Sequence, residues 1–216
     1  MSFDTTVRVE AAGRSWELLR PADLESLWQS MDDSNPEAEE HIPYWVELWP
    51  ATLALCTWLE RHRDNIFGAR CLDLGCGLGL SALVAASLGA QVLGMDYEFD
   101  ALEFAARNAQ HNDVSSPLWV QMNWEKPGFR PGCFDFIWGG DVFYEQRFFE
   151  PIEALLLRCL APGGRIWFGD PVRAVSQGVW ARFTARGWRV KNLDQVMVPF
   201  EDARMTVNVW ELRRAS

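Results

Sequence analysis

The sequence predicts an α/β fold: a mostly parallel sheet with helices on both faces and a small N-terminal extension. Three observations carry that prediction. Arg70 to Leu80 reads R-C-L-D-L-G-C-G-L-G-L, a short apolar strand running into a glycine loop and then a helix. Beyond it, apolar runs alternate with helical periodicity, the pattern of parallel strands joined by right-handed crossovers. The chain closes on Trp188 to Leu193 and Thr206 to Leu212, whose alternation fits an antiparallel pair.

The elements follow in order. Thr5 to Val9 and Ser15 to Leu19 flank a turn at Ala12-Gly13 and form a hairpin. Pro21 to Ser30 starts with proline and places Leu24, Leu27 and Trp28 at helical spacing, a short helix. Met31 to Glu40 is the most acidic stretch and reads as a mobile loop or frayed helix. Residues 1–40 are taken as an extension and 41–216 as the main domain. His41 to Pro50 (H-I-P-Y-W-V-E-L-W-P) leads into a helix from Ala51 to Arg61. Trp45, Trp49, Leu53 and Cys56 have the spacing of a core stripe on that helix. Tyr44 and Glu47, beside prolines that break regular structure, are candidates for a pocket mouth.

Strand Cys71 to Leu74 is followed by helix Ser81 to Leu88, strand Gln91 to Asp96 and helix Asp100 to His111, with Leu102, Ala105, Ala106 and Ala109 inward. Leu118 to Met122 is a third strand ending at Asn123-Trp124, and Phe134 to Trp138 a fourth, followed by G-G-D-V-F-Y. Helix Phe148 to Leu160, a turn at A-P-G-G (161–164), strand Arg165 to Phe168 and helix Ala174 to Arg186 complete the order.

Composition narrows the function. The chain has 216 residues, 49% hydrophobic and 23% charged, which suits one globular domain with a sizeable core. Its net charge of −10 leaves no electrostatic footprint for nucleic acid or an anionic membrane. A basic protein or a neutral small molecule is the easier partner. The five cysteines show no C-x-x-C spacing and read as buried free thiols suited to a reducing cytosol. His41, His62 and His111 lack ligand spacing, so no metal is inferred. Asp4, Arg8 and Glu10 stand where a signal peptide needs an apolar run, and no stretch approaches ~18 apolar residues, so a cytoplasmic location is expected.

The glycine loop is the candidate site. Gly75, Gly77 and Gly79 permit positive φ and a close backbone approach to a ligand, and the helix start offers free N–H groups. Leu80 stands where the dinucleotide pattern G-x-G-x-x-G has its third glycine, and no Lys-Ser/Thr follows, which excludes a P-loop. Asp73, inside the strand, is expected to accept a hydrogen bond from a ligand ammonium. Asp96, ending the next strand and followed by Tyr97, stands where such folds hold ribose hydroxyls. The carboxyl edge of the sheet also collects Asn123-Trp124, Asp141 to Tyr144 and Asp170. Trp124 either covers an adenine face, with Asn123 or a neighbouring amide at its polar edge, or is a plain core tryptophan.

The D-x-G-x-G-x-G run from Asp73 with strand-terminal Asp96 resembles the S-adenosylmethionine site of seven-strand methyltransferases. Asp141-Val142-Phe143-Tyr144 directly after the fourth strand, with P-Y-W-V-E-L-W-P at 43–50, resembles the D-x-x-Y family of protein-lysine methyltransferases. G-D-P-V-R at 169–173 is similar to the G-D-P-G-R run of the branch that modifies the electron-transfer flavoprotein β subunit, with Val172 in place of glycine. The resemblance implies a Rossmann-like seven-strand methyltransferase sheet in the order 3-2-1-4-5-7-6, last strand antiparallel. It also implies S-adenosylmethionine as cofactor and a protein substrate presenting a lysine, such as an electron-transfer flavoprotein subunit or a ribosomal protein. The candidate cofactor residues are then Asp73, Gly75, Gly77, Gly79, Asp96, Tyr97, Asn123, Trp124, Trp45 and Trp49, and the catalytic ones Asp141, Tyr144 and Glu47. Lysine, of pKa ~10.4, is neutral in only about one part in 2,500 at pH 7, roughly 4.6 kcal/mol, so the site must help it shed a proton and aim the nitrogen. Small-molecule N- or O-methyl transfer and a non-catalytic cofactor-binding module are the alternatives.

Overall fold

A computed structural model describes residues 4–22, 43–200 and 203–215. Pro21 ends a strand and Ala22 is a bend, while the remainder (23–30) of the helix expected at 21–30, the acidic stretch 31–40 and the domain boundary at 40 lie outside the described residues. Strands β1 (Asp4–Ala11) and β2 (Arg14–Pro21) form the expected hairpin about Ala12 and Gly13, both at positive φ as a tight two-residue turn requires.

A seven-stranded sheet follows, built from β3 (Arg70–Leu74), β4 (Gln91–Asp96), β5 (Leu118–Gln121), β6 (Phe134–Gly140), β7 (Leu160–Pro171), β8 (Trp188–Phe200) and β9 (Ala203–Arg214). Its order is β5-β4-β3-β6-β7-β9-β8, with β9 antiparallel to both neighbours. Numbered from β3, this is the expected 3-2-1-4-5-7-6. Helices α1 (Pro50–Arg61), α2 (Arg63–Ile66), α3 (Leu80–Ser87), α4 (Phe99–His111), α5 (Phe149–Cys159) and α6 (Gln177–Ala185) connect and cover it.

Strand alternation sorts the core into two layers. Leu72, Leu74, Ile137 and Phe168 face α5 and α6, meeting Ile152, Leu155, Trp180 and Phe183. Cys71, Phe136, Trp138 and Trp167 face the other way, onto Leu55, Trp58 and Leu59 of α1 and Ala82 and Ala85 of α3. Central strands buried on both sides explain the unbroken apolar runs in the sequence. The hairpin adds Trp16 and Leu18 over Leu80, Leu83, Val84 and Ala109.

Several boundaries differ from expectation. A-P-G-G is a bulge inside β7: Phe134 pairs with Leu160 and Phe136 with Arg165, so the extra residues loop out without ending the strand. β8 and β9 run well beyond the expected pair because their outer halves pack Val198 and Val207 on Ala51 and Ala54. On α4 the buried polar position is Asn108, while Ala106 is only half-buried. Trp45 and Trp49 do not form a core stripe with Leu53 and Cys56. The helix begins at Pro50, Tyr44–Val46 is a separate 3-10 turn, and both indoles stay half-buried. All five cysteines are free; Cys133 is half-buried and the others buried. Among the described residues no helix is long and apolar enough to cross a membrane.

Candidate active site

The carboxyl ends of β3, β4, β5 and β6 converge on a cavity of about 260 Å³, bounded on its outer side by Tyr44, Trp45, Glu47, Leu48, Trp49 and Thr52. It sits where the chain order reverses, β4 lying on one side of β3 and β6 on the other, so the loops after those strands diverge and leave a crevice.

The glycine loop forms one wall. Gly75, Gly77 and Gly79 have φ of +67°, +50° and +87°. The N–H groups of Gly75 and Cys76 donate to the Met95 carbonyl at 2.8 and 3.0 Å, fixing the loop to the end of β4. A Cβ on Gly79 would stand 2.8 Å from Ala105 Cβ, and one on Gly77 3.4 Å from the Trp45 carbonyl oxygen, so the loop is gripped between α4 and the outer wall. Asp96 braces it: one carboxylate oxygen accepts the Gly77 N–H at 2.8 Å, the other the Glu98 N–H at 3.1 Å. Burial nevertheless raises the Asp96 carboxyl to about 6, against those bonds.

Asp73 departs from expectation. Its side chain projects to the same face of β3 as Cys71, toward the start of α3, where the Ser81 hydroxyl donates to it at 2.5 Å. It is 1% exposed and lies beneath the loop, outside the cavity wall, with burial pushing it up to about 7. In this position it ties the strand end beneath the loop to the first turn of α3, because strand periodicity fixes which face the side chain takes.

The D-V-F-Y segment forms the opposite wall. Asp141 has φ +57°, a left-handed conformation that aspartate tolerates better than most residues. Its N–H donates to the Gly169 carbonyl at 2.9 Å, and its Oδ2 accepts from Arg173 Nη2 at 2.7 Å. Burial raises the carboxyl to about 6, with Arg173 pulling the other way. Phe143 anchors the segment, its ring packed edge-on against Phe149, Phe168 and Trp180. Tyr144 faces the cavity, and burial is the main reason its hydroxyl is raised further above the ordinary tyrosine range. Its ring lies 5.0 Å from Tyr44 and 5.1 Å from Phe148, which itself meets Trp124 at 4.9 Å.

Of the remaining candidates, Glu47 lines the cavity but its Oε2 accepts from Arg20 of the hairpin at 2.7 Å, so it reaches the site already ion-paired. Trp45 lines the cavity with its ring 5.7 Å from Phe104. Trp49 donates to the Tyr44 carbonyl at 2.8 Å, and its ring meets Phe200 on one side and the Arg173 guanidinium at 5.6 Å. Tyr97, Asn123 and Trp124 also line the wall. Asn123 Oδ1 accepts the Glu125 N–H at 2.8 Å, closing a turn that holds Trp124 near Gly75. Thr52, Arg147 and Phe148 are among the further lining residues and carry no motif of their own. Arg147 and Phe148 directly follow the D-x-x-Y segment, so adjacency was their available signal. Arg173 was visible within G-D-P-V-R, but its bond to Asp141 spans 32 residues of chain.

A family profile described as "Methyltransferase domain" matches residues 72–168. The electron transfer flavoprotein beta subunit lysine methyltransferase of Rattus norvegicus is 33% identical over 154 residues, 70% of this chain and 58% of the relative. The histone-arginine methyltransferase METTL23 of Xenopus laevis is 30% identical over 178 residues, 78% of this chain and 74% of the relative. The protein N-lysine methyltransferase METTL21A of Mus musculus is 37% identical over 118 residues, 50% of this chain and 52% of the relative. The chain spans 51% to 58% of the length of several of these curated relatives. Among solved structures, TYW2 of Pyrococcus horikoshii in complex with MeSAdo superposes with a TM-score of 0.60 at 15% identity, covering 99% of this chain and 73% of that one. At that identity the likeness speaks to the fold alone.

Proposed function

The chain belongs to the methyltransferase family, and from that premise we propose that it uses S-adenosylmethionine to methylate lysine side chains of a protein. One observation carries the reading: a single cavity joins the glycine loop and Asp96 on one wall to Asp141 and Tyr144 on the other. The first wall suits an adenosine with its ribose diol, through a carboxylate already fixed by backbone N–H groups and a backbone cradle that a Cβ would fill. The carboxylates of Asp96 and Asp141 suit a ligand that carries positive charge. When bound, this cofactor supplies a methyl group on a sulfonium sulfur that departs as a neutral thioether.

The protein's own residues deal with the acceptor. Tyr44, Tyr144 and Phe148 make an aromatic neck suited to an unbranched alkyl chain ending in a cation. Asp141 accepts an N–H from the acceptor nitrogen, and Tyr144, kept protonated by burial, offers a hydroxyl beside it. Together they aim the nitrogen lone pair at the methyl carbon once its proton has passed to water. The aromatic neck limits water around the nitrogen, which favours the neutral amine over the ammonium.

The net charge of −10 favours an acceptor segment rich in basic residues, and the flavoprotein β subunit, substrate of a relative, is the first candidate. Five free thiols suit a reducing cytosol. The test is methyl transfer from radiolabelled S-adenosylmethionine into a cytosolic extract, followed by hydrolysis of the labelled protein. Label recovered as methyl-lysine, and reduced ~100-fold or more by Asp141→Ala, is the expected result. Label recovered as methyl-arginine, or only in small molecules, would overturn the acceptor.

A further inference from the structure

Asp141 stands between two environments. It lines the cavity, yet its Oδ2 is held at 2.7 Å by Arg173, which stands outside the cavity wall. The two side chains are 7% and 33% exposed. Arg173 also has its guanidinium 5.6 Å from the Trp49 ring, which itself stacks with Phe200. We propose that Arg173 is a positioning residue for methyl transfer, gripping Asp141 from behind so that its carboxylate meets the acceptor nitrogen ionised yet charge-balanced. This rests on the function proposed above and adds a residue to it.

The chemistry follows from what a lone carboxylate would do. An unbalanced anion beside a lysine holds the nitrogen as ammonium and raises its pKa, which opposes the reaction. A carboxylate already neutralised by a fixed guanidinium still accepts an N–H from the neutral amine and directs its lone pair. Its pull on the proton is weaker. Arginine suits the task because it remains charged throughout the working pH range. The other groups facing Asp141 cannot replace it. Asp170, at the end of β7, is anionic when charged and accepts from the Ser176 hydroxyl at 2.9 Å. Asp96 and Glu47 are acids on other walls of the cavity, and Tyr44 and Tyr144 are neutral phenols. Arg147, also lining the cavity, is engaged with Glu145 at 2.7 Å.

The test compares wild type with Arg173→Met and Arg173→Lys. The Asp141 carboxyl is titrated by carbon-13 NMR, with Asp141→Asn to assign its signal, and kcat and acceptor KM are followed against pH, with S-adenosylmethionine affinity as a control. In Arg173→Met the Asp141 midpoint and the acid limb of kcat both move upward by about 1 pH unit. Acceptor KM does not rise, cofactor affinity stays within about twofold, and Arg173→Lys, which keeps the charge, brings the midpoint most of the way back to the wild-type value. An unmoved Asp141 midpoint, or an unmoved acid limb despite a moved midpoint, overturns the role of Arg173. Wild type that transfers no methyl group to any protein overturns the function above instead.

Discussion

Asp96 accepts two backbone N–H groups and lines the cavity, whereas Asp141, on the opposite wall, is tied to Arg173 behind that wall. Their removal should therefore fail differently. On the function proposed above, Asp96→Ala takes away a ribose partner as well as the brace on Gly77, and S-adenosylmethionine binding should weaken by at least ~10-fold, as expected for loss of a hydrogen bond to a charged group. Asp141→Ala should leave that affinity within about threefold while transfer collapses. Calorimetric titration of both variants decides it, and equal losses of affinity would undo the division of roles. Asp73 belongs to neither class. Its bond to Ser81 ties the end of β3 to the first turn of α3, so it acts on the loop through the elements that carry it.

The N-terminal hairpin is bound to the site at the level of elements. Asn108 of α4 and Asn112, which caps the C-terminus of that helix, sit one turn apart and imitate a neighbouring strand for β2. Asn108 accepts the Leu19 N–H at 2.7 Å and donates to the carbonyls of Leu19 and Leu78 at 3.2 and 3.1 Å. Asn112 accepts the Glu17 N–H at 3.0 Å and donates to the Glu17 carbonyl at 2.8 Å. Leu78 belongs to the glycine loop, and Arg20 of the same hairpin holds Glu47 in the outer wall. One buried asparagine thus joins hairpin, helix and loop. Asn108→Ala leaves three backbone groups without their partner and should cost about 3 kcal/mol. Urea unfolding measures the loss, and hydrogen exchange should quicken at Leu19. Unchanged protection at Leu19 would show that Trp16 and Leu18 hold the hairpin without the asparagine.

Over the whole molecule, the buried carboxyls of Asp73, Asp141 and Asp170 and the half-buried one of Asp96 are pushed up to about 7, 6, 7 and 6, chiefly by desolvation. The unfolded chain releases these protons near pH 4, whereas the folded chain keeps them until pH 6 to 7. Folding is therefore favoured by these groups at acid pH, and that contribution is lost as pH rises through the folded values. The cofactor-free protein should lose about 4 °C or more of melting temperature between pH 4.5 and pH 7.5. S-adenosylmethionine should recover most at the upper end, where the anions it would face are charged. Carboxylates lowered by surface partners, Glu17 beside Arg8 and Asp135 beside Arg70, act with opposite sign but complete their effect below this window. A melting temperature that rises steadily across the window would contradict the account.

The sequence by itself determined the order of strands and helices, the glycine loop and the D-x-x-Y segment after the fourth strand. These are written locally: strands buried on both faces appear as apolar runs, and a loop of positive φ appears as glycines a residue apart. The comparisons then supplied the methyltransferase family. Tertiary structure decided that Asp73 turns beneath the loop, that Trp45 and Trp49 line the cavity and do not join a core stripe, that Asn108 clasps the hairpin and that Arg173 reaches Asp141. Each depends on which face of an element a side chain takes and on what a distant segment brings to meet it. A residue pattern fixes the first only when the element boundary is known, as Pro50 shows for the two tryptophans. The second it does not encode, because Arg173 and Asp141 meet through the pairing of β6 with β7, whose register the bulge at A-P-G-G resets.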